Sequence, residues 1–283
     1  MAENSLSRWL IFFIGIPVIV GFIALPVLNH LPINLIIIAA SAIGAAEIAD
    51  IFKKMGYPIR SLFAVFLGSF LPFCAYFVAS GLITPTVIVI LLTALTSFIL
   101  LLPIFVTNPD EFASGIHRIS GYLSILIYPG FFMAYLVMLS SLPLPTLTMI
   151  AFAFMCFFND SFAWLFGKFF GKDSRGVFPI SPNKSLVGFI FGFIGSNVMA
   201  LFWFWIEPAI FANSIFVALI AGVLIGISTI LGDLIESAIK RSSRTKDSGS
   251  IIPGRGGILD SVDSLLFSAP VFFYTITFAN MFI

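Results

Sequence analysis

Apolar runs of about 20 residues recur along the chain, and few folds can use them. Wound as a helix at about 1.5 Å per residue, such a run is the length that crosses a hydrocarbon layer about 30 Å thick. Read at that length, the sequence predicts nine spans, at 9–28, 33–52, 61–81, 83–105, 120–141, 145–167, 186–206, 214–238 and 264–283. Composition agrees: 60% of the 283 residues are hydrophobic and only 10% are charged, where soluble domains carry roughly 25% charged residues. The expected fold class is an all-α polytopic membrane protein of about nine transmembrane helices. The run at 9–28 is longer than a signal-peptide core and has no clear small-x-small cleavage site before the next span, so it is expected to remain as the first helix.

The cations test that count. Arg8 precedes the first span; Lys53, Lys54 and Arg60 fall in the second loop and Arg118 in the fourth. Lys168, Lys172, Arg175 and Lys184 fall in the sixth, and Lys240, Arg241, Arg244, Lys246 and Arg255 in the eighth, which accounts for all 14 Lys and Arg. The odd-numbered loops and the C-terminus carry none. Losing one helix from the count would move every later loop across the membrane, so this segregation supports nine spans with a cytoplasmic N-terminus and an outside C-terminus. Net charge is only +1, and no global basic field points to nucleic acid.

Nothing divides the chain into separately folding domains: there is no Pro- or Ser-rich linker and no clear internal repeat. Cys74 and Cys156 are isolated in apolar segments, without the spacing of a disulfide framework or zinc site. Gly188, Gly192 and Gly195 in the seventh span have the spacing that lets another helix approach closely, a packing role. His30 and His117 have no ligand-like neighbours.

Ionisable residues at membrane depth cost about 3 kcal/mol each on insertion scales, so those that persist are functional candidates. Asp160 lies in the sixth span, and Asp233 and Glu236 lie in the eighth. Asp160 is seven residues before Gly167 and Asp233 seven before Lys240, which puts both about 10 Å below the same boundary. Asp233, Glu236 and Lys240 can share one helix face. Glu47 and Asp50 repeat the three-residue spacing, with Lys54 four residues beyond Asp50. They lie close enough to the interface for a snorkelling, structural reading.

The eighth loop carries most information. It runs Lys240-Arg241-Ser242-Ser243-Arg244-Thr245-Lys246-Asp247-Ser248-Gly249, then Pro253-Gly254-Arg255-Gly256-Gly257-Ile258-Leu259-Asp260-Ser261-Val262-Asp263. Cations bind phosphate oxygens, glycines let main-chain amides approach an anion, and Asp260 with Asp263 offers oxygen ligands on one face of an incoming helix. These are parts of a metal-assisted phosphate site. The sixth loop has a similar character in Ser181-Pro182-Asn183-Lys184-Ser185, although basic loops also arise from topology alone.

The eighth-loop segment resembles the C-terminal signature of the phosphatidate cytidylyltransferase (CDP-diacylglycerol synthase) family, in Ser237, Lys240-Arg241, Lys246-Asp247, Gly249, Gly256-Gly257, Asp260 and Asp263. Asp160-Ser161-Phe162-Ala163, Gly167-Lys168 and Ser181 to Ser185 resemble it too. The likeness covers 155–283 well and the N-terminal half only in general character. Residues 1–119 are therefore expected to be variable N-terminal spans, and 120–283 the catalytic region with cytoplasmic loops 168–185 and 240–263. Three departures stand out. Arg255 replaces a His, Ser261 an Arg, and Val187 a Glu that the family usually shows.

The resemblance implies transfer of the cytidylyl group of CTP to phosphatidic acid, giving CDP-diacylglycerol and pyrophosphate, with Mg²⁺ and with room for a second, monovalent cation. It implies metal ligation by Asp233, Asp260 and Asp263. Catalytic positions would be Asp160, Lys184, Lys246 and Asp247, and phosphate contacts would come from Ser181, Lys240, Arg241, Gly256 and Gly257. Expected partners are CTP, phosphatidic acid and membrane lipids, with a homodimer left open. The expected location is a prokaryotic cytoplasmic membrane with the site facing the cytoplasm. Competing readings are a CTP-dependent lipid or polyprenol kinase, an intramembrane aspartyl protease using Asp160 and Asp233, and an ion-coupled transporter.

Overall fold

The computed structural model describes residues 14–57, 59–106, 112, 114–252, 254 and 256–282. Arg8, Pro253, Arg255 and the beginning of the first expected span lie outside those residues. The described residues form helices and turns, with no strand among them beyond two isolated bridges, Arg175 to Ser185 and Ile252 to Gly256.

In chain order the helices are α1 (Ile16–Ile23), α2 (Leu31–Lys54), α3 (Ser61–Ala79), α4 (Thr86–Leu101), α5 (Gly115–Ile125), α6 (Phe132–Met138), α7 (Pro145–Phe170), α8 (Leu186–Ile206), α9 (Ile215–Ser242) and α10 (Leu259–Phe282). A short 3-10 turn extends α4 to Phe105, and α5 and α6 are joined by a π-helical turn, Leu126–Phe131. Eight helices among the described residues are long and apolar enough to cross a membrane, and they match the second to ninth predicted spans.

At several ends the helix outruns the apolar stretch, although α3 stops at Ala79 and α4 starts at Thr86, inside their predicted spans. α2 reaches Lys54, α7 Phe170 and α9 Ser242, while α10 begins at Leu259 rather than 264. Hydropathy marks only the part suited to hydrocarbon, whereas helix propagation goes on adding one hydrogen bond per residue through polar ends. Those ends gain from their cations: Lys53 and Lys54, Lys168, and Lys240 and Arg241 occupy last turns, where positive charge opposes the helix dipole. The same extension puts Asp260 and Asp263 inside a helix.

The residues group into two compact units. The first gathers the described residues of Met1–Phe22 with Pro26–Met138 and Ile239–Ser261; the second gathers Ile23–Leu25, Leu139–Ala238 and Val262–Ile283. In the first, α2 meets α3 where Gly68 leaves its Cβ position to Ala45. Nearby, Ser41 Oγ lies 2.8 Å from Gly68 O and 2.5 Å from Pro129 O, so one hydroxyl serves two carbonyls. Pro129 lies inside the π-helical turn, where it supplies no N–H to the helical ladder.

In the second unit α7 and α8 pack along the glycine face. A Cβ at Gly188 would stand 2.8 Å from Ala163 O, at Gly192 3.0 Å from Asn159 O, and at Gly195 2.8 Å from Phe158 O. The packing role expected for these glycines is what the helices show. Close approach also satisfies Asn159, whose buried Nδ2 donates to Ser196 Oγ at 3.0 Å and Gly226 O at 3.1 Å. Gly192→Leu should therefore overpack this contact and destabilise by about 1–3 kcal/mol. Thermal unfolding in detergent should show a lowered midpoint against an Ile190→Leu control on an exposed position; equal midpoints would contradict the packing account.

Candidate active site

Each unit holds one constellation of ionisable groups. In the second unit, α7 carries Asp160, α9 carries Asp233 and Glu236 three residues apart, and α10 carries Asp263. The helices come this close because Gly232 has no side chain: a Cβ there would sit 2.6 Å from Asp263 O and 3.0 Å from Phe267 Cβ. Further along the same helix pair, Ser268 Oγ lies 3.0 Å from Ser228 Oγ and 3.1 Å from Thr229 Oγ1. These bonds fix the register of α9 on α10.

Asp263 lies within electrostatic reach of Asp233, Asp160 and Glu236. Its Oδ1 accepts from Ser264 N at 2.7 Å, while Ser264 Oγ donates to Asp160 Oδ1 at 3.3 Å. Lys184 pairs with Asp233. It is delivered by a pinned turn in which Lys184 N donates to Ser181 O at 3.1 Å and Gly176 N donates to Lys184 O at 3.2 Å. Ser185 then caps α8, its Oγ accepting from Gly188 N at 3.0 Å, the ordinary chemistry of a helix start. Ser181 thus helps form the turn through its main chain. Of the residues predicted for the site, Asp160, Lys184, Asp233 and Asp263 share one cluster, and Glu236 joins them.

Mutual repulsion among these carboxyls, Glu236 buried and the other three half-buried, is costly unless cations offset it. Lys184 does so at Asp233. Hard carboxylate oxygens are also the donor type that Mg²⁺ takes. No three His, Cys, Asp or Glu among the described residues converge into a ready-made metal-binding group. Mg²⁺ does not require one, because it keeps several waters and is held by one or two carboxylates together with substrate phosphates. The acidic cluster fits that mode.

The first unit holds the other constellation, on the loop between α9 and α10. Lys240 Nζ donates to Asp260 Oδ1 at 2.6 Å. Asp260 Oδ2 accepts from Ser248 N at 2.8 Å, Ser248 Oγ at 2.9 Å and Gly257 N at 2.7 Å. Both oxygens of Asp260 are thus engaged in holding the loop. Its neighbour in this task is Glu47 on α2, whose carboxylate accepts from Ser248 Oγ at 2.9 Å, Ile258 N at 2.8 Å and Leu259 N at 3.0 Å. Ser248 Oγ therefore brings one proton to two carboxylates.

The glycines follow from this arrangement. Gly256 has φ +114°, and a Cβ there would stand 2.5 Å from Asp260 Oδ2; a Cβ at Gly249 would stand 2.6 Å from Glu47 Oε1. Gly257 leaves its Cβ position to the same Glu47 oxygen and to Ser248 Oγ. The anion that these glycines admit is the protein's own carboxylate, and the amides of Gly257, Ile258 and Leu259 donate to Asp260 and Glu47. The cations of this loop divide accordingly: Lys240 is committed to Asp260, while Arg241, Lys246 and the neighbouring Asp247 are exposed. Arg241 Nη1 also donates to Thr245 O at 3.2 Å.

Glu47 is the residue that sequence reasoning undervalued. It does not snorkel: it is 5% exposed and closes the start of α10. Its signal was a carboxylate inside an apolar span. Asp50 behaves as an interface residue, with its exposed carboxylate 2.9 Å from Lys53 Nζ rather than paired with Lys54.

Comparison with known proteins places these residues in context. The cytidylyltransferase family model matches residues 6–279. An uncharacterized protein of Escherichia coli (strain K12), YnbB, is 46% identical over 121 residues, covering 42% of this chain and 39% of that protein. The phosphatidate cytidylyltransferase of Chlamydia muridarum is 43% identical over 117 residues, 40% of this chain and 37% of its own length. That of Bacillus subtilis (strain 168) is 38% identical over 157 residues, 54% and 57% of the two chains. The matched stretches thus span less than two thirds of these relatives.

Proposed function

The chain belongs to the cytidylyltransferase family, and on that premise we propose that it transfers the cytidylyl group of CTP to phosphatidic acid, giving CDP-diacylglycerol and pyrophosphate. The substrate pair follows the relatives named phosphatidate cytidylyltransferase. The observation that carries the reading is the gathering of Asp160, Asp233, Glu236 and Asp263 with Lys184 on membrane-spanning helices and their adjoining loop.

In this reaction a phosphate oxygen of phosphatidic acid attacks the α-phosphorus of CTP, and the bond from that phosphorus to the bridging oxygen of the β-phosphate breaks. Pyrophosphate leaves with the electron pair, and no covalent intermediate on the protein is needed. The protein's task is positioning and charge stabilisation. Asp233 and Asp263 would hold Mg²⁺, which when bound neutralises charge on the phosphates. Asp160 orients the acceptor phosphate through the same cluster. Lys184, held beside Asp233, offers its ammonium to a phosphate oxygen. Arg241 and Lys246, exposed on the loop, would attract the triphosphate from water. Glu47, Asp260 and Lys240 keep that loop in shape.

The distribution of cations supports a cytoplasmic location for the loop ends, since every Lys and Arg falls on alternate connections. CTP would then arrive from the cytoplasm while phosphatidic acid stays in the bilayer.

The test is incubation of the purified protein in detergent with phosphatidic acid, Mg²⁺ and cytidine-labelled CTP. Label in the lipid together with released pyrophosphate is expected. Release of labelled CDP with the lipid left unlabelled would replace this reading with phosphoryl transfer.

A further inference from the structure

We propose that a groove between α9 and α10 receives the distal part of a phosphatidate acyl chain while the phosphate lies at the acidic cluster, an inference that rests on the phosphatidate reading above. The groove has a volume of about 520 Å³, within the range of about 300–1,000 Å³ usual for small-molecule sites. Its walls are Val217, Ile220 and Leu224 on α9, with Val271, Phe278 and Phe282 on α10. Both helices also carry the acidic cluster, through Asp233, Glu236 and Asp263.

Position identifies the occupant. Leu224 precedes Asp233 by nine residues and Val271 follows Asp263 by eight, so the near end of the groove lies about 12–14 Å along the helices from the carboxyls. Between the two, the helices are closed on one another by Gly232 against Asp263 and by the Ser228, Thr229 and Ser268 hydroxyls. The groove begins immediately after Pro270, which removes one N–H from the α10 ladder.

Depth requires such a path. Each leaflet contributes about 15 Å of chain to a hydrocarbon core about 30 Å thick. With Asp233 seven residues inside Lys240, a phosphate held there is drawn about 10 Å below the boundary. Its chains must then reach past the midplane, where this groove lies. The lining suits a hydrocarbon: it has two hydroxyl-bearing residues, Tyr274 and Thr275, and Thr275 Oγ1 donates to Val271 O at 2.7 Å within its own helix. Bilayer and protein are similarly apolar, so the groove acts by shape rather than by hydrophobic gain.

Two measurements decide it. Ala279→Trp and Leu224→Trp fill the groove; each should lower kcat/KM about tenfold for phosphatidic acid with 18-carbon chains and leave the 8-carbon substrate within about twofold of wild type. Equal losses on both substrates, or no loss on the longer one, would overturn the proposal. Independently of turnover, phosphatidic acid carrying a photoreactive group at the chain end should label 217–224 or 271–282 of the unmodified protein. Labelling confined to other segments overturns the groove assignment, as does a photo-crosslink at these residues to a second copy that phosphatidic acid fails to displace. If the unmodified protein transfers no cytidylyl group, the phosphatidate reaction falls, and the labelling result still decides whether the groove takes the chain.

Discussion

Asp263→Asn should lower cytidylyl transfer by about 10²–10³-fold, the loss typical when one charge-stabilising group is removed from an active site, while leaving the protein folded. The substitution keeps size, and the Asn side-chain oxygen can still accept from Ser264 N, the 2.7 Å bond of the native residue. It removes one negative charge from a group that also holds Asp233, Asp160 and Glu236. Repulsion therefore falls, and the thermal unfolding midpoint should hold or rise as activity disappears. That opposition is the mark of a group kept for function at some expense of stability. A drop in midpoint matching the drop in activity would make Asp263 a structural residue, and near-normal turnover would remove it from the site.

Glu47→Ala should have a different signature, with folding and turnover lost together. It strips the acceptor from Ile258 N, Leu259 N and Ser248 Oγ in a buried position. Each buried donor left without an acceptor costs about 1–3 kcal/mol, together a large part of a domain's net stability of about 5–15 kcal/mol. The start of α10 and the loop from Ser248 should lose order, read as faster amide exchange at 248–259 and proteolysis in that stretch. Glu47→Gln should be milder, since its carbonyl oxygen can still accept from main-chain amides while its NH₂ lacks an acceptor's lone pairs. If Glu47→Ala leaves exchange at 248–259 unchanged, the carboxylate does not hold the loop.

The contrast between these residues shows what a sequence can disclose here. The spans were legible because a hydrocarbon solvent imposes length and apolarity, and because cation placement independently checks their number. The spacing of Gly188, Gly192 and Gly195 disclosed a close helix contact for the same local reason. Asp160, Asp233 and Glu236 stood out as carboxylates costly at membrane depth and Asp263 as an oxygen ligand of the eighth loop, and the structure brings Asp263 within electrostatic reach of the other three. The partner of the glycine-rich loop was not. Gly249, Gly256 and Gly257 have the spacing of an anion cradle, but the anions are Asp260 and Glu47, the latter 211 residues before Ile258. No local pattern distinguishes an external phosphate from a carboxylate that tertiary packing brings in. Lys240 illustrates the same limit, since helical spacing offers it Glu236 while the fold gives it Asp260 at 2.6 Å.

The most direct measurement follows CTP labelled at the α-phosphorus with phosphatidic acid, comparing wild type with Asp263→Asn in Mg²⁺, and wild type with and without chelator. Label in the lipid and matching release of pyrophosphate are expected for wild type, abolished by the chelator, restored by added Mg²⁺, and reduced at least about 10²-fold by the substitution. Lipid labelling that persists in folded Asp263→Asn protein, or CDP release with unlabelled lipid, would contradict cytidylyl transfer at the acidic cluster.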